Sequence, residues 1–474
     1  MALSGTFARR YFAFALAASN KTSSHHIFSL MKHPEYICVQ QCRLASWKTK
    51  MAEKKKLKNI VHQYASENTK RSERVYVWGY AAVGALGVSS FVRPKEYKRP
   101  RRLQLTPYRL SFIDDMRMKV YAAACGYGFT VFLCDTESGP KAYGTGINLN
   151  SQLGYQEYPP NSGRILDYII EPVVIDLPLE YKDTKPTHVA CGRAHTVIAT
   201  DKEGIFTLGN NALGQCARPV IDKEQYWASH TVNKVPFDKK VKQVECGQDH
   251  TLVLTEDGHV YGCGLGADGQ TAQGNDDVCW ELKQVTGDIN GEKIVHLSSR
   301  ADTILAVSEK GDLFGWGNCE YDQFSQSGVD TMAVNIPQHL KLDNVGKVAK
   351  AAACGTMCAL VNTKGQVFVW GFGILGRGPK VDRSAIPLQL PETLFGKNEF
   401  SPDGKIVDIN CCMNSFIATT DDGHLYGWGK NKAGNLGLGH NLDQFFPIKI
   451  IVPAEVKKVA CGIDHAVVLS TSHA

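Results

Sequence analysis

No uncharged apolar run in this 474-residue chain is long enough to cross a bilayer. The longest near the start, residues 11–18, falls far short of the roughly 20 residues that a spanning helix needs. Motifs for covalent chemistry are missing as well. None of the Gly-Lys pairs at 346, 396, 404 and 429 is followed by Ser or Thr, so there is no Walker A phosphate loop, and neither Gly-x-Ser-x-Gly nor His-Glu-x-x-His occurs. The 15 cysteines lack zinc-finger spacing, because Cys411-Cys412 and the Cys354/Cys358 pair have no matching second half. The one N-x-Ser/Thr sequon is Asn20-Lys21-Thr22, close to the N-terminus. These absences predict a protein that performs no covalent reaction and uses neither metal nor cofactor.

Net charge is small over most of the chain and concentrated at its start. Residues 1–74 hold 14 Lys/Arg against Glu35, Glu53, Glu67 and Glu73, a balance of +10; the remaining 400 residues balance at −4. A nearly neutral body is not a general polyanion binder, so any nucleic-acid role needs a local patch. What the chain does have is glycine, 44 residues of it, and an apolar fraction of 43%, which suit many short strands joined by tight turns.

Two signals recur seven times. A Trp-Gly-like step stands at Trp78-Gly79, Thr145-Gly146, Leu208-Gly209, Cys263-Gly264, Trp316-Gly317, Trp370-Gly371 and Trp428-Gly429. A Cys-Gly-like step stands at Cys125-Gly126, Cys191-Gly192, Cys246-Gly247, Ser298-Ser299, Cys354-Gly355, Cys411-Cys412 and Cys461-Gly462, with periods of 50 to 67 residues. Between them lie apolar strands, Asp-Gly or Lys-Gly hairpin turns such as Asp257-Gly258 and Lys364-Gly365, and glycine-rich loops at 148–154 and 431–437. Strand repeats of this period read as propeller blades. The chain has no Trp-Asp and no Gly-Gly dipeptide, which sets aside the WD40 and kelch spellings. The array starts in mid-unit at Val75 and ends on the complementary half. The expectation is therefore an all-β, seven-bladed β-propeller over 75–474, closed by N- and C-terminal strands paired in one blade.

The Cys-Gly-x-x-His motif, clearest at 191–195, 246–250 and 461–465, together with the Trp-Gly step and the Gly-Gln-Leu-Gly-like loop, resembles the regulator of chromosome condensation repeat family over residues 75–470. The histidine position is taken by Phe129, Asp302, Cys358 and Ser415 in four copies, so His195, His250 and His465 are expected to bond a neighbouring loop carbonyl rather than share a ligand. Six cysteines hold one repeat position and are expected to be small buried strand residues, too far from one another to pair.

Candidate partner-binding residues come from the two longest units. The first insertion, residues 91–110, carries Arg93, Lys95, Lys98, Arg99, Arg101, Arg102 and Arg109 against one acid, Glu96, with Tyr97 and Tyr108 interleaved. It reads either as a solvated loop or as a contact for an acidic protein face or RNA phosphates. A second, proline-rich insertion spans 155–186, and both are expected to lie outside the blade core. Residues 1–50, with Arg9, Arg10, Lys21, Lys32 and Arg43 against Glu35, have the composition of a mitochondrial presequence. Residues 51–74 form a basic linker in which Leu57, Ile60, Val61 and Tyr64 fall at helical spacing, either a helix packed on the propeller or an rRNA or lipid contact.

The family resemblance implies function that the residues alone do not. Founding members bind a small GTPase on one propeller face and release its nucleotide. With a presequence, the resemblance implies guanine-nucleotide exchange on a mitochondrial dynamin-like GTPase involved in fusion, in the matrix and with at most peripheral attachment to the inner membrane. The alternative is an RNA- or rRNA-associated scaffold for assembly of the mitochondrial large ribosomal subunit.

Overall fold

The computed structural model describes residues 72–95, 98–325, 328, 332–399 and 402–472. The presequence reading and all of the 51–74 linker before Ser72 lie outside the described residues. The rest forms one compact unit built on seven four-stranded antiparallel sheets. The first blade is Lys119–Cys125, Phe129–Thr136, Gly139–Ile147 and Tyr168–Ile175, running from the channel outwards. The innermost strands of the next five blades are Pro186–Cys191, Val241–Cys246, Ile294–Ser299, Val348–Cys354 and Ile406–Cys411. The seventh is made from both ends of the array: Glu455–Cys461, His465–Thr471, Glu73–Tyr80 and Leu103–Arg109. Val75 pairs with Leu469 and Trp78 with Ala466, so the ring closes as the half-repeats predict.

Burial grades outward and explains the sequence pattern. Second strands such as His250–Thr255 and Thr303–Ser308 are buried along their whole length between neighbouring sheets, so they read as continuous apolar runs. Outer strands such as Cys279–Gln284 are mostly exposed and carry charge. The Trp-Gly glycine has a steric cause. At Gly79, Gly264 and Gly371 φ is +110°, +114° and +94°, and an added Cβ would lie 2.4–2.5 Å from the carbonyl oxygen of Asp464, Asp249 or Thr356. The same residue sits at a register slip between third and outer strands, as at Gly262/Gly264 and Val369/Gly371.

The extra residues of the long units are not all loops. Residues 103–109 are the outer strand of the closing blade and 168–175 that of the first blade, while Phe91 and Leu110 are buried. The blade core therefore reaches into both insertions. Outer strands lack the repeat motifs and are half solvated, which is why charge and proline at 103–109 disguised one.

Four tryptophans, Trp78, Trp316, Trp370 and Trp428, are fully buried between sheets. Three donate their indole N–H to the preceding blade's loop between its third and outer strands: Trp78 to the Asn435 carbonyl at 2.8 Å, Trp316 to Gln270 at 3.1 Å and Trp370 to Gln323 at 2.8 Å. The fifth-blade loop passes Trp428 with Gly376 instead, and the Trp428 Nε1 has no partner among the described residues. Replacing Trp370 by Phe is therefore expected to destabilise by about 1 kcal/mol more than Trp428→Phe, because only the first strands a buried carbonyl. Paired denaturant midpoints check this; equal losses would mean the bond contributes nothing.

Candidate partner-binding face

Because strands alternate in direction, each first-to-second turn and each third-to-fourth loop emerge on one face of the ring. The second-to-third hairpins emerge on the other. The loop face thus gathers the Cys-Gly-x-x-His turns around the channel and the long loops around the rim, including residues 81–95 and 98–102 of the closing blade.

The motif histidines tie blades together. His195 Nε2 meets Thr251 Oγ1 at 3.2 Å, His250 Nε2 meets Ser299 Oγ at 2.9 Å and His465 Nε2 meets Thr130 Oγ1 at 2.8 Å. The partner is a hydroxyl on the next blade rather than the loop carbonyl expected, and the Thr130 and Thr251 hydroxyls then donate to the Ala85 and Gln215 carbonyls. A rotating hydroxyl serves as both acceptor and donor, so it relays the contact to the loop. Burial lowers the His195 and His250 imidazoles to about 3, so both are neutral. His465 is instead raised to about 10: burial opposes its charge, but the Cys125 sulfur and the Asp464 carboxylate, 2.8 Å from its Nδ1, outweigh it.

The thirteen described cysteines are all buried, and burial raises thiols such as Cys216 to about 12. The expected wide separation of the repeat cysteines is corrected. First strands converge on the channel, so Cys354 Sγ lies 2.8 Å from the Cys412 carbonyl and Cys411 Sγ 3.1 Å from that of Ala353, in the neighbouring blade. Among the described residues, no group of three His, Cys, Asp or Glu side chains is placed to hold a metal.

At the channel mouth the turns bring polar side chains together. Arg193 forks onto Asp249, with Nη2–Oδ2 at 2.6 Å and Nε–Oδ1 at 3.2 Å, and Gln248 and Gln270 each donate to Asp302 at 3.1 Å. Burial raises the carboxyls of Asp249 and Asp302 above the usual range. Tyr127 reaches over to Met413 Sδ at 3.6 Å, and burial pushes its phenol up to about 12. Beneath it Arg300 bonds the Cys125 carbonyl at 3.1 Å and, with Glu245, lines a cavity of about 120 Å³. Sequence reading named Asp302 only as a departure at the histidine position and passed over the others, most of which fill variable positions of the motif. The available signal was the Ser-Ser-Arg-Ala-Asp departure at 298–302.

All seven predicted basic residues are exposed, but they do not act alike. Arg101 lies over the Phe91 ring at 4.4 Å and bonds Gln104 Oε1 at 2.5 Å, and Arg109 pairs with Asp114 at 2.8 Å. Both support the closing blade. Arg93, Lys95, Lys98, Arg99 and Arg102 carry no ion pair among the described residues and belong to the exposed connection that precedes the strand Leu103–Arg109.

Family models for the regulator of chromosome condensation (RCC1) repeat match residues 241–270 and 422–469. The chain is 45% identical over 421 residues to the human RCC1-like G exchanging factor-like protein, covering 87% of this chain and 90% of that one. It belongs to the regulator of chromosome condensation repeat family. Among solved structures of the family, human WBSCR16 matches with 45% identity and a TM-score of 0.79, over 85% of this chain and all of that one. Yeast RCC1 (Prp20), solved bound to Kap60, matches at 19% identity with a TM-score of 0.66, over 85% and 90%, which bears on the fold alone. Within this family the site is a face for partners, of the regulator and exchange-factor type. No helix among the described residues is long and apolar enough to cross a membrane.

Proposed function

We propose that this propeller acts in the mitochondrial matrix, binding a dynamin-like GTPase involved in fusion on its loop face and accelerating release of the guanine nucleotide. The observation that carries the reading is the 45% identity, nearly end to end, to a protein named as an exchanging-factor relative. The physical basis is linkage: a factor that binds the nucleotide-free GTPase more tightly than the loaded one lowers nucleotide affinity by the same factor. Such a face must bind and reshape, and needs no nucleophile or general base. The matrix location rests on the basic, Ser- and Ala-rich composition of residues 1–50.

A specific observation also supports an RNA-associated scaffold for the mitochondrial large ribosomal subunit. The five cations that carry no ion pair among the described residues lie on an otherwise slightly acidic body, which suits phosphate contact. Reversing Lys98, Arg99 and Arg102 to Glu tests both readings, and sparing Arg101 leaves the Phe91 contact in place. If phosphates are the target, RNA association weakens and its salt slope falls by roughly one unit per lost contact. Under the exchange reading the variant still releases labelled GDP from a purified mitochondrial GTPase. Unchanged RNA binding with lost exchange would remove the scaffold role of this connection. Crosslinking in intact mitochondria checks the location, which fails if the protein is absent from the matrix.

A further inference from the structure

The sixth blade breaks the repeat at the turn between its first two strands. In four other blades a glycine follows the strand-end cysteine: Gly126, Gly192, Gly247 and Gly462. An added Cβ there would lie 2.0–2.9 Å from the ring of Phe129, His195, His250 or His465 in the same turn, and 2.3–2.9 Å from a carbonyl oxygen of the next blade. In the sixth blade Cys412 holds the glycine position. Ser415 holds the ring position, pairing with Gly429 as His250 does with Gly264, and its small side chain leaves room for a thiol.

The direction of that thiol follows from the chain. Strand-end thiols point back to the preceding blade: Cys125 Sγ bonds the Ala460 carbonyl at 3.5 Å, Cys191 that of Ala124 at 3.7 Å and Cys411 that of Ala353 at 3.1 Å. Successive side chains of an extended chain leave on opposite sides, so Cys412 faces forward to the closing blade. Cys461 ends that blade's innermost strand and faces back. The two thiols are hydrogen-bonded to each other and share a core cluster with Trp78, Ala466 and Val468. Their bond lowers the Cys412 thiol against the effect of burial, and the same bond together with burial raises Cys461. Cys412 thus has the thiolate character that reaction requires. Cys461 lines the channel cavity of about 120 Å³, through which a water-sized oxidant reaches the pair.

We propose that Cys412 and Cys461 are an oxidation site, a dithiol that a hydroperoxide converts to a disulfide, fastening the sixth blade to the closing blade. His465 already ties the other side of the closing blade to Thr130. With hydrogen peroxide, one sulfur attacks an oxygen, the O–O bond breaks and water leaves with that thiol's proton. The second sulfur then displaces the hydroxyl of the sulfenic acid, the S–S bond forms and a second water leaves with the remaining proton. Both sulfurs are oxidised and both peroxide oxygens reduced.

Full-length protein treated with hydrogen peroxide, alkylated and digested with trypsin should yield fragment 406–430 joined to fragment 459–474, whose one cysteine is Cys461. The joined pair should vanish with dithiothreitol and in Cys412→Ala, and persist in Cys411→Ala. The thermal midpoint of the oxidised native chain should rise by about 5 °C, and that of Cys412→Ala should not move. Absence of the joined pair from the folded native chain would overturn the proposal whatever the variants do. So would a pair that survives Cys412→Ala, an oxidised chain that melts no higher than the reduced one, or a link from 406–430 to the Cys354 fragment 351–364 in its place.

Discussion

A chain cut after Cys461 is expected to lose the cooperative unfolding transition of the entire ring. The cut removes His465–Thr471, the strand that stands between Glu455–Cys461 and Glu73–Tyr80 and supplies the ladder from Glu73↔Thr471 to Gly79↔His465. Ala466, Val467 and Val468 are fully buried, and their loss uncovers Val77 and Trp78, also fully buried. At about 1.5–3 kcal/mol for each large side chain, the loss is on the order of 10 kcal/mol. That is comparable with the whole stability of a domain, roughly 5–15 kcal/mol. The His465–Thr130 contact to the first blade goes too, and the opened blade exposes two strand edges. Thermal unfolding followed by circular dichroism, with size exclusion, reads the outcome. A truncated chain that stays monomeric and melts like the native one would show that the ring does not need its closure.

The closure was legible because it rests on backbone necessity. The Trp-Gly glycines are written into the sequence by carbonyls that leave no room for a Cβ, and the second strands by burial on both faces, so seven copies survive with their period intact. Where a position is half solvated that pressure lifts. The strand Leu103–Arg109 holds Pro107 and ends in Arg109, and it reads as loop because only its pairing with Glu73–Tyr80 makes it a strand. The basic insertion was visible as composition, but its division into structural and free cations was not. Arg101 is set apart by Phe91, ten residues upstream, and Arg109 by Asp114, contacts that no repeat position encodes. The channel was the least legible part. Its residues come from different blades and meet only when the ring closes, so Arg300 looked like a decayed motif copy.

That arginine carries the second large effect. Arg300 reaches from the fourth blade to the first, where its Nη1 donates to the Cys125 carbonyl, and it lines the channel cavity with Glu245 of the third blade. Arg300→Ala is expected to cost about 1–3 kcal/mol, since it removes a charge-assisted bond and leaves a carbonyl and a carboxyl without it. The loss should also depend on pH. Burial raises the Glu245 carboxyl to about 7, against the lowering effects of Arg300, a bond from Gln243 and Lys350. A carboxyl raised on folding contributes stability that is fully present below its unfolded value of about 4.5 and is lost as pH rises through about 7. Native protein should therefore lose stability between pH 5 and pH 8, about 2–3 kcal/mol from this group. Glu245→Gln should flatten that slope. In Arg300→Ala the carboxylate loses its nearby cation, so the loss should steepen and extend to higher pH. Denaturant midpoints of the three proteins across that range decide it: a pH profile shared by the native chain and Glu245→Gln would show that Glu245 ionises without cost, and that Arg300 acts on the ring only through its bond to Cys125.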